Sequence, residues 1–419
     1  MKTEDMILVS IDDHVIEPAG MYDNHVPTRL RDQAPRLVIS DEGREEWRFQ
    51  GVAMGTSGMN AVQGLPKSEW GFDPSSHAEM RPGAYDIHER VRDMNVNGVL
   101  ASMCFPTYAG FSARYFQQAE DPDLALVMLR AYNDWHIDEW CAAYPGRFIP
   151  LAIVPVWNPE EMVREVRRVA AKGARAVTMP EQPFLQDLPT YADLDYWGPF
   201  FQAVSDLGLV MCLHIGQGFG ALKQAPGAPL DNLFILATQV SAMAAQDLLW
   251  GGAFQRYPDL KVAWSEAGIG WIPFYLDRCD RHFTNQTWLG RDFGGKLPSE
   301  VFREHCLACY ITDPSALRGR HEIGIDNIAW ECDYPHSDAV WPDAPEFVMN
   351  EFTGAGVTSD AEITKITWEN TARFFNWDPF RHTAREDATV GALRALSPDV
   401  DTTIRSKSEW KRRFEAASA

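Results

Sequence analysis

Imidazole and carboxylate side chains end several apolar runs of the sequence, and such side chains hold divalent metal ions in proteins. Asp12 and His14 end the first run. Because residues two apart on an extended strand point the same way, these two side chains face one point. His214, Glu266 and Asp333 each end a later run. Nitrogen and oxygen donors without thiolates suit zinc, manganese or iron, so the pattern predicts a metal site among these five residues.

Each of these residues also has a simpler explanation when it is taken alone. An aspartate after a strand can cap the next helix, and a single histidine can be a satisfied side chain of the core. The joint occurrence of such residues at the ends of separate strands is what favours metal binding.

The elements that must position these residues are short apolar runs that alternate with amphipathic stretches. That alternation is typical of βα units around a parallel sheet, and in a parallel barrel the catalytic groups cluster at the carboxyl ends of the strands. Two stretches between the runs predict helices, 159–172 before Gly173 and 196–207 before Gly208. The eight predicted strands are 6–12, 98–104, 148–154, 174–179, 208–214, 261–266, 307–312 and 327–333.

The long interval between the first two strands predicts an insertion, at about residues 15–90. Its stretch 36–50 alternates across a turn and predicts a β-hairpin. Loops that leave the carboxyl ends of barrel strands surround the active site, so we expect the insertion to cap the site and to select the substrate. The domain prediction is a barrel over 1–382, followed by a charged helical tail, 383–419, which we interpret as a docking or assembly element.

Composition excludes some partners. The 38 basic and 59 acidic residues give a net charge of −21, which would repel nucleic acid and anionic membranes. The N-terminus lacks the pattern of a secretory signal, we expect no stretch to span a bilayer, and seven scattered cysteines indicate reduced thiols, so we expect a cytoplasmic protein. The 15 tryptophans and 14 methionines favour a subunit interface, in a homo-oligomer or in a hetero-oligomer with a related subunit.

Several segments together resemble one known family. They are SIDDHVIEP, YPGRFIPLAIVPVWNPEE, LHIGQG, WSEAGIGWIPFYLDRCDR, ECDYPHSD and WENTARFF, in this order between about residues 7 and 376. The sequence is similar to the amidohydrolase-2 group of the amidohydrolase superfamily, which includes aminocarboxymuconate semialdehyde decarboxylase-like and dihydroxybenzoate decarboxylase-like proteins. The resemblance implies a (β/α)8 TIM barrel.

The resemblance also implies a role for each matching residue. Asp12 and His14 fall on the metal pair of the first strand, His214 on the metal histidine of the fifth strand, and Asp333 on the aspartate of the eighth. The chain departs from many decarboxylase relatives at Glu266, where they have a histidine that acts on metal-bound water.

Two further residues accompany these motifs, Glu17 three places after His14 and His336 three places after Asp333. A site with one metal needs only three or four protein ligands and an open position. The surplus of donors permits two metals, or one metal with additional acid and base groups, and we favour the second. His336 could equally orient the substrate, and Glu17 could pack a loop.

These residues predict an enzyme that acts on a small organic substrate with a divalent zinc, manganese or iron ion. The metal would lower the pKa of a bound water toward neutrality for hydrolysis, or chelate a carboxylate for nonoxidative decarboxylation. The predicted catalytic residues are Asp333, Glu266 and His336. The alternatives are a dinuclear iron or manganese oxygenase on the same barrel, and a structural subunit without catalysis.

Overall fold

The chain divides into two compact units in a computed structural model that describes residues 1–41, 43–54, 58–72 and 76–418. The first unit consists of Met1–Pro155, Glu331–Met349 and Asp378–Ala419. The second unit consists of Val156–Trp330 and Asn350–Trp377. The predicted tail therefore belongs to the first unit.

All eight strands predicted from the apolar runs are present, because each run is buried along its whole length or nearly so. The predicted hairpin is present as well, and it is extended by a third strand that the sequence analysis missed. The strands are β1 (Leu8–Val15), β2 (Arg36–Ile39), β3 (Glu45–Phe49), β4 (Val52–Met54), β5 (Val99–Pro106), β6 (Leu151–Ile153), β7 (Ala176–Met179), β8 (Val210–His214), β9 (Lys261–Ser265), β10 (Cys306–Tyr310) and β11 (Ile328–Trp330).

Parallel pairing of β1 with β5 forms the centre of the first unit, and every residue of both strands is buried. The segment after β11 continues beside β1: Asp333 N–H donates to the Asp12 carbonyl at 2.8 Å, and His14 N–H donates to the Tyr334 carbonyl at 2.8 Å. These bonds place the ends of β1 and of the 331–334 segment at the same level. The hairpin strands β2, β3 and β4 form a separate antiparallel sheet.

The second unit contains a parallel sheet with the strand order β11-β10-β9-β8-β7. The pairing of β8 with β9 puts His214 opposite Ser265, and β7 pairs with β8 so that Met179 lies opposite Leu213. Parallel strands that neighbour each other in chain order require crossover connections, and helices supply them here. The carboxyl ends of β7, β8 and β9 therefore meet at one edge of this sheet.

The helices begin and end where the sequence supplies capping groups. Asp86, Asp121, Asn158 and Asp193 accept N–H bonds at helix starts, and Gly208 ends α5 in the left-handed conformation that glycine adopts at low cost. The helices are α1 (Ile87–Val96), α2 (Arg114–Gln117), α3 (Pro122–Trp135), α4 (Pro159–Ala171), α5 (Leu194–Leu207), α6 (Asp231–Leu236), α7 (Thr238–Trp250), α8 (Ala253–Arg256), α9 (Trp271–Asn285), α10 (Pro298–His305), α11 (Pro314–Arg318), α12 (Arg320–Ile323), α13 (Ala344–Ala355), α14 (Asp360–Thr364), α15 (Asn370–Phe374), α16 (Val390–Leu396) and α17 (Lys407–Ser418).

Three predictions about the chain as a whole can be compared with the structure. The tail is helical in α16 and α17, as predicted, and all seven cysteines are buried free thiols. The prediction that no segment could span a membrane is wrong by length and composition, because 231–250 is helical and apolar enough. Only 39% of its apolar window is buried, and one such helix is weak evidence for a span. The predicted oligomer stays a prediction.

Candidate metal centre

The carboxyl end of β1 presents two of the predicted metal ligands. Asp12 and His14 are buried, with exposed fractions of 0% and 1%. The backbone bonds between β1 and the 331–334 segment bring Asp333, which is also fully buried, to the same level. Two carboxylates and an imidazole that lie buried at one level are donors of the kind that hold divalent ions, which favours a cation at this place.

His14, Asp333 and His336 form a compact group in the first unit. The carboxylate of Asp333 joins both imidazoles: Oδ1 lies 3.1 Å from His14 Nε2, and Oδ2 lies 2.6 Å from His336 Nδ1. One potential ligand atom of each residue lies within 4.8 Å of those of the other two. This set of nitrogen and oxygen donors fits a zinc, manganese or iron ion.

The protonation state of Asp333 follows from its surroundings. Burial acts to raise the pKa of this carboxyl, but His336 and His14 outweigh burial and hold its pKa below the usual range. Asp333 also has a φ angle of +62°, in the left-handed region that side chains other than glycine rarely adopt. The ionised state suits a metal ligand, and the strained backbone is typical of a functional position.

Asp13 supports the site from the opposite face of β1, a role that the sequence analysis missed. Its Oδ1 accepts a bond from the Tyr334 N–H at 3.0 Å and from the Ser10 hydroxyl at 3.0 Å, and Ser102 donates to Oδ2. Burial raises the pKa of Asp13 to about 6, although Arg90 and the hydrogen bonds act against burial. Asp13 thus joins β1, β5 and the 331–334 segment.

Arg90 of α1 is a second buried support for the metal ligands. Its guanidinium donates to the backbone carbonyl of His14 at 2.5 Å and to that of Gly83 at 2.6 Å. It also packs over the ring of Tyr334 at 4.8 Å from the centroid. Arg90 is fully buried on α1, a helix that the sequence analysis did not predict.

Glu17 is fully buried, but the structure does not place it in the group of His14, Asp333 and His336. Its carboxylate accepts N–H bonds from Thr107 at 3.0 Å, Tyr108 at 2.9 Å and Ala109 at 3.4 Å. Burial raises the pKa of Glu17 to about 7, although these hydrogen bonds act to lower it. These three N–H bonds fit the loop-packing role that the sequence left open for Glu17. Its role as a metal ligand stays a prediction.

His214 and Glu266 lie together in the second unit, at the adjacent ends of β8 and β9. His214 Nδ1 lies 2.6 Å from the Ile215 carbonyl, which leaves Nε2 as the ligand atom. Glu266 Oε2 lies 3.6 Å from that Nε2, and Glu266 has a φ angle of +55°. The structure thus places Glu266 beside His214, and its predicted catalytic role stays a prediction.

Glu181 follows β7, and the sequence analysis predicts no catalytic or binding role for it. It is buried, its Oε1 accepts a bond from the Ser241 hydroxyl at 2.8 Å, and burial raises its pKa to about 8. Ser241, the charge of His214 and the Gly218 N–H only partly oppose that effect. Its signal in the sequence was an acid two residues after a buried strand, next to the strand that ends in a histidine.

Residues of the insertion contact the loops that carry the candidate site in the first unit. The Gln63 side chain donates to the His336 carbonyl at 2.8 Å, and Asn60 donates to the Thr107 hydroxyl at 3.2 Å. The ring of Phe111 lies 5.6 Å from that of His14. The Phe111 ring and the Gln63 amide thus adjoin the cluster of His14, Asp333 and His336.

Comparison with known proteins identifies the family. A family model described as amidohydrolase matches residues 25–377, which is most of the chain. The chain belongs to the amidohydrolase family. This membership confirms the resemblance found in the sequence segments and the expectation of an enzyme.

Relatives of this amidohydrolase include characterised decarboxylases. The chain is 25% identical over 346 residues to gamma-resorcylate decarboxylase of Polaromonas sp. (strain JS666 / ATCC BAA-500), covering 76% of this chain and 94% of that protein. Similar solved structures include the following two. An amidohydrolase from Mycobacterium avium subsp. paratuberculosis K-10 has a TM-score of 0.69 at 19% identity, covering 88% of this chain and 99% of that one.

The second structure is 5-carboxyvanillate decarboxylase LigW2 from Novosphingobium aromaticivorans DSM 12444, with bound manganese and 3-methoxy-4-hydroxy-5-nitrobenzoic acid. Its TM-score is 0.61 at 18% identity, covering 90% of this chain and 99% of that one. At such identities the likeness shows the fold alone, which is the predicted TIM barrel.

Proposed function

We propose that this amidohydrolase is a metal-dependent carboxy-lyase that decarboxylates a small aromatic acid without an oxidant. The observation that carries the proposal is the group of His14, Asp333 and His336, in which one fully buried carboxylate that suits a divalent ion contacts an imidazole at each oxygen. The decarboxylase relative and the manganese-bound decarboxylase of the same fold support the direction of the chemistry.

The proposed ligands in the first unit are Asp12, His14 and Asp333, and His214 stays a predicted ligand from the sequence. A bound divalent ion would supply positive charge that orients the substrate carboxylate and its neighbouring oxygen. Asp333, held ionised by the two imidazoles, fixes His14 at one oxygen and His336 at the other. The ring of Phe111 beside His14 offers an apolar contact for an aromatic substrate.

His336 is the proposed proton donor. The N–H at His336 Nδ1 donates to Asp333 Oδ2. A protonated His336 would therefore carry its transferable proton on Nε2. When the carbon–carbon bond breaks, the electron pair stays on the ring carbon and carbon dioxide leaves. The proton from His336 Nε2 then forms the new carbon–hydrogen bond. Insertion residues such as Gln63, which holds the His336 carbonyl, are proposed to influence substrate choice.

Two measurements test the proposal. Elemental analysis of the purified chain should find a divalent metal that is lost in Asp333→Ala and retained in Asp32→Ala, which changes an exposed aspartate. The loaded chain should then release carbon dioxide from hydroxylated benzoic acids, with oxygen consumption measured in parallel. Absence of bound metal would overturn the proposed dependence on a metal ion. Oxygen uptake coupled to turnover would favour the oxygenase alternative.

A further inference from the structure

A buried charge pair lies beside the backbone that carries Asp333. The Arg81 guanidinium bonds the Asp93 carboxylate twice, with Nε at 2.7 Å from Oδ2 and Nη2 at 2.6 Å from Oδ1. The Tyr334 hydroxyl donates to the same Asp93 Oδ2 at 2.5 Å. All three residues are at most 5% exposed.

The space around this pair is closely filled. A Cβ atom on Gly83 would lie 2.1 Å from Asp93 Oδ2 and 2.8 Å from the Tyr334 hydroxyl, so glycine is required there for the approach of the two side chains. The Arg90 guanidinium packs over the ring of the same tyrosine. Tyr334 is thus confined by a hydrogen bond at its tip and by packing on its face.

The backbone of Tyr334 transmits this confinement to the metal ligands. Its N–H donates to Asp13 Oδ1, and its carbonyl accepts the N–H of His14. Asp333, the preceding residue, has the left-handed backbone angle, a conformation that persists only where the surroundings hold it. The side chain of Tyr334 is one of the groups placed to hold it.

The C-terminal segment, residues 399–418, completes the environment of Arg81. The Asp401 carbonyl accepts a bond from Arg81 Nη1 at 2.9 Å, and the Trp410 ring lies 5.8 Å from the Arg81 guanidinium. The Trp341 ring lies 4.4 Å from the same guanidinium. Trp410 is only 6% exposed, and its indole N–H donates to the Gly64 carbonyl. The tail thus shields the arginine that anchors Asp93.

We infer that Tyr334 is a positioning residue for Asp333, and that the C-terminal segment supports the candidate metal centre through Trp410, Arg81 and Asp93. This inference rests on the proposed function, since its effect is on metal binding. It gives the tail a role within its own chain, and the docking or assembly role predicted from its sequence stays a prediction. Asp333, which contacts two imidazoles, is then held by a series of contacts that begins at Trp410 in the C-terminal segment.

The first test compares two tyrosine variants that each lose one hydroxyl. Tyr334→Phe should weaken Mn²⁺ binding roughly tenfold in equilibrium dialysis, because removal of supporting bonds behind metal ligands has effects of 10-fold to 100-fold. Tyr196→Phe, which removes a bond to the Val156 carbonyl in the second unit, should bind as the original chain does. Excess Mn²⁺ should restore kcat in Tyr334→Phe, which a misfolded variant would not show.

The second test addresses the tail. Trp410→Leu should also weaken Mn²⁺ binding, whereas Trp288→Leu, at a tryptophan that is 77% exposed, should not. The Tyr334→Phe and Trp410→Leu double variant should lose less affinity than the product of the two separate losses, because both changes loosen one network. If Trp410→Leu does not fold, Trp410→Phe takes its place.

The outcomes separate this inference from the proposed function. An original chain that binds no divalent metal overturns both. Metal binding by the original chain with equal affinity in Tyr334→Phe overturns the positioning role alone. Independent losses in the double variant, equal to the product, overturn the contribution of the C-terminal segment.

Discussion

The buried acid Glu181 makes the stability of the chain depend on pH in a direction that can be measured. Its carboxyl is fully enclosed, and burial raises its pKa from 4.5 to about 8 against the Ser241 hydrogen bond. In the unfolded chain the same group ionises near its ordinary value. Between these two values the unfolded state loses the proton and the folded state retains it.

The sign and size of the effect follow from this difference. The pKa of Glu181 is higher in the folded state than in the unfolded state. Ionisation therefore stabilises the unfolded state first as the pH rises, and the free energy of unfolding falls. The fall begins near pH 4.5 and ends near pH 8. At about 1.36 kcal/mol for each pKa unit, the loss reaches about 5 kcal/mol at most. Glutamine cannot ionise, so Glu181→Gln removes this loss.

Urea denaturation of the metal-free chain between pH 5 and pH 8 tests the prediction. The free energy of unfolding of Glu181→Gln minus that of the original chain should increase with pH by several kcal/mol, whatever its value at pH 5. Ser241→Ala keeps the acid but removes a bond to its charged form, so its loss of stability should continue to higher pH. Parallel profiles for the original chain and Glu181→Gln would refute a retained proton on Glu181.

Three further predictions concern other parts of the chain. Gly218→Ala should destabilise the fold by about 1–3 kcal/mol in urea denaturation, because its Cβ would lie 2.1 Å from Val240 Cγ1; an unchanged midpoint would show that the loop shifts freely. Burial lowers the pKa of His136 to about 4, so the unfolded state binds the proton first and the fold loses up to about 3 kcal/mol as the pH falls from 6.5 toward 4. His136→Asn should flatten that acid-side profile, and a profile as steep as before would contradict the assignment. Chelation should lower the Tm of the loaded chain, and Mn²⁺ at about 100 times its Kd should restore about 2.7 kcal/mol of stability; a Tm indifferent to chelator would argue against a resident metal.

The strands were predictable because each is a short, almost wholly apolar run that must be buried on both faces. The boundaries were less exact. The run 148–154 yields only the three residues of β6, and β4 was missed because its three residues follow a turn without any alternation to mark them. The helix predicted over 196–207 is present as α5, but it begins two residues earlier, at Leu194.

The site was predictable only in part, because the sequence shows residue types at strand ends and not the partners of those residues. His14, Asp333 and His336 could be named from their positions and from the family resemblance. Asp13 and Arg90 could not, since their partners lie far away in the chain: the Arg90 guanidinium reaches the His14 carbonyl, and Asp13 reaches the Tyr334 N–H. Contacts to backbone atoms leave no trace in residue type.

The backbone angles at two predicted catalytic acids add an argument that residue types could not supply. Glu266 and Asp333 have φ angles of +55° and +62°, and both follow the end of a parallel strand. A glycine would adopt these angles at lower cost, whereas each acid costs about 1–3 kcal/mol. Stability alone would therefore favour glycine at both positions. The acids at both positions agree with their predicted catalytic roles, which stay predictions, and neighbouring contacts such as those of Tyr334 would offset the strain.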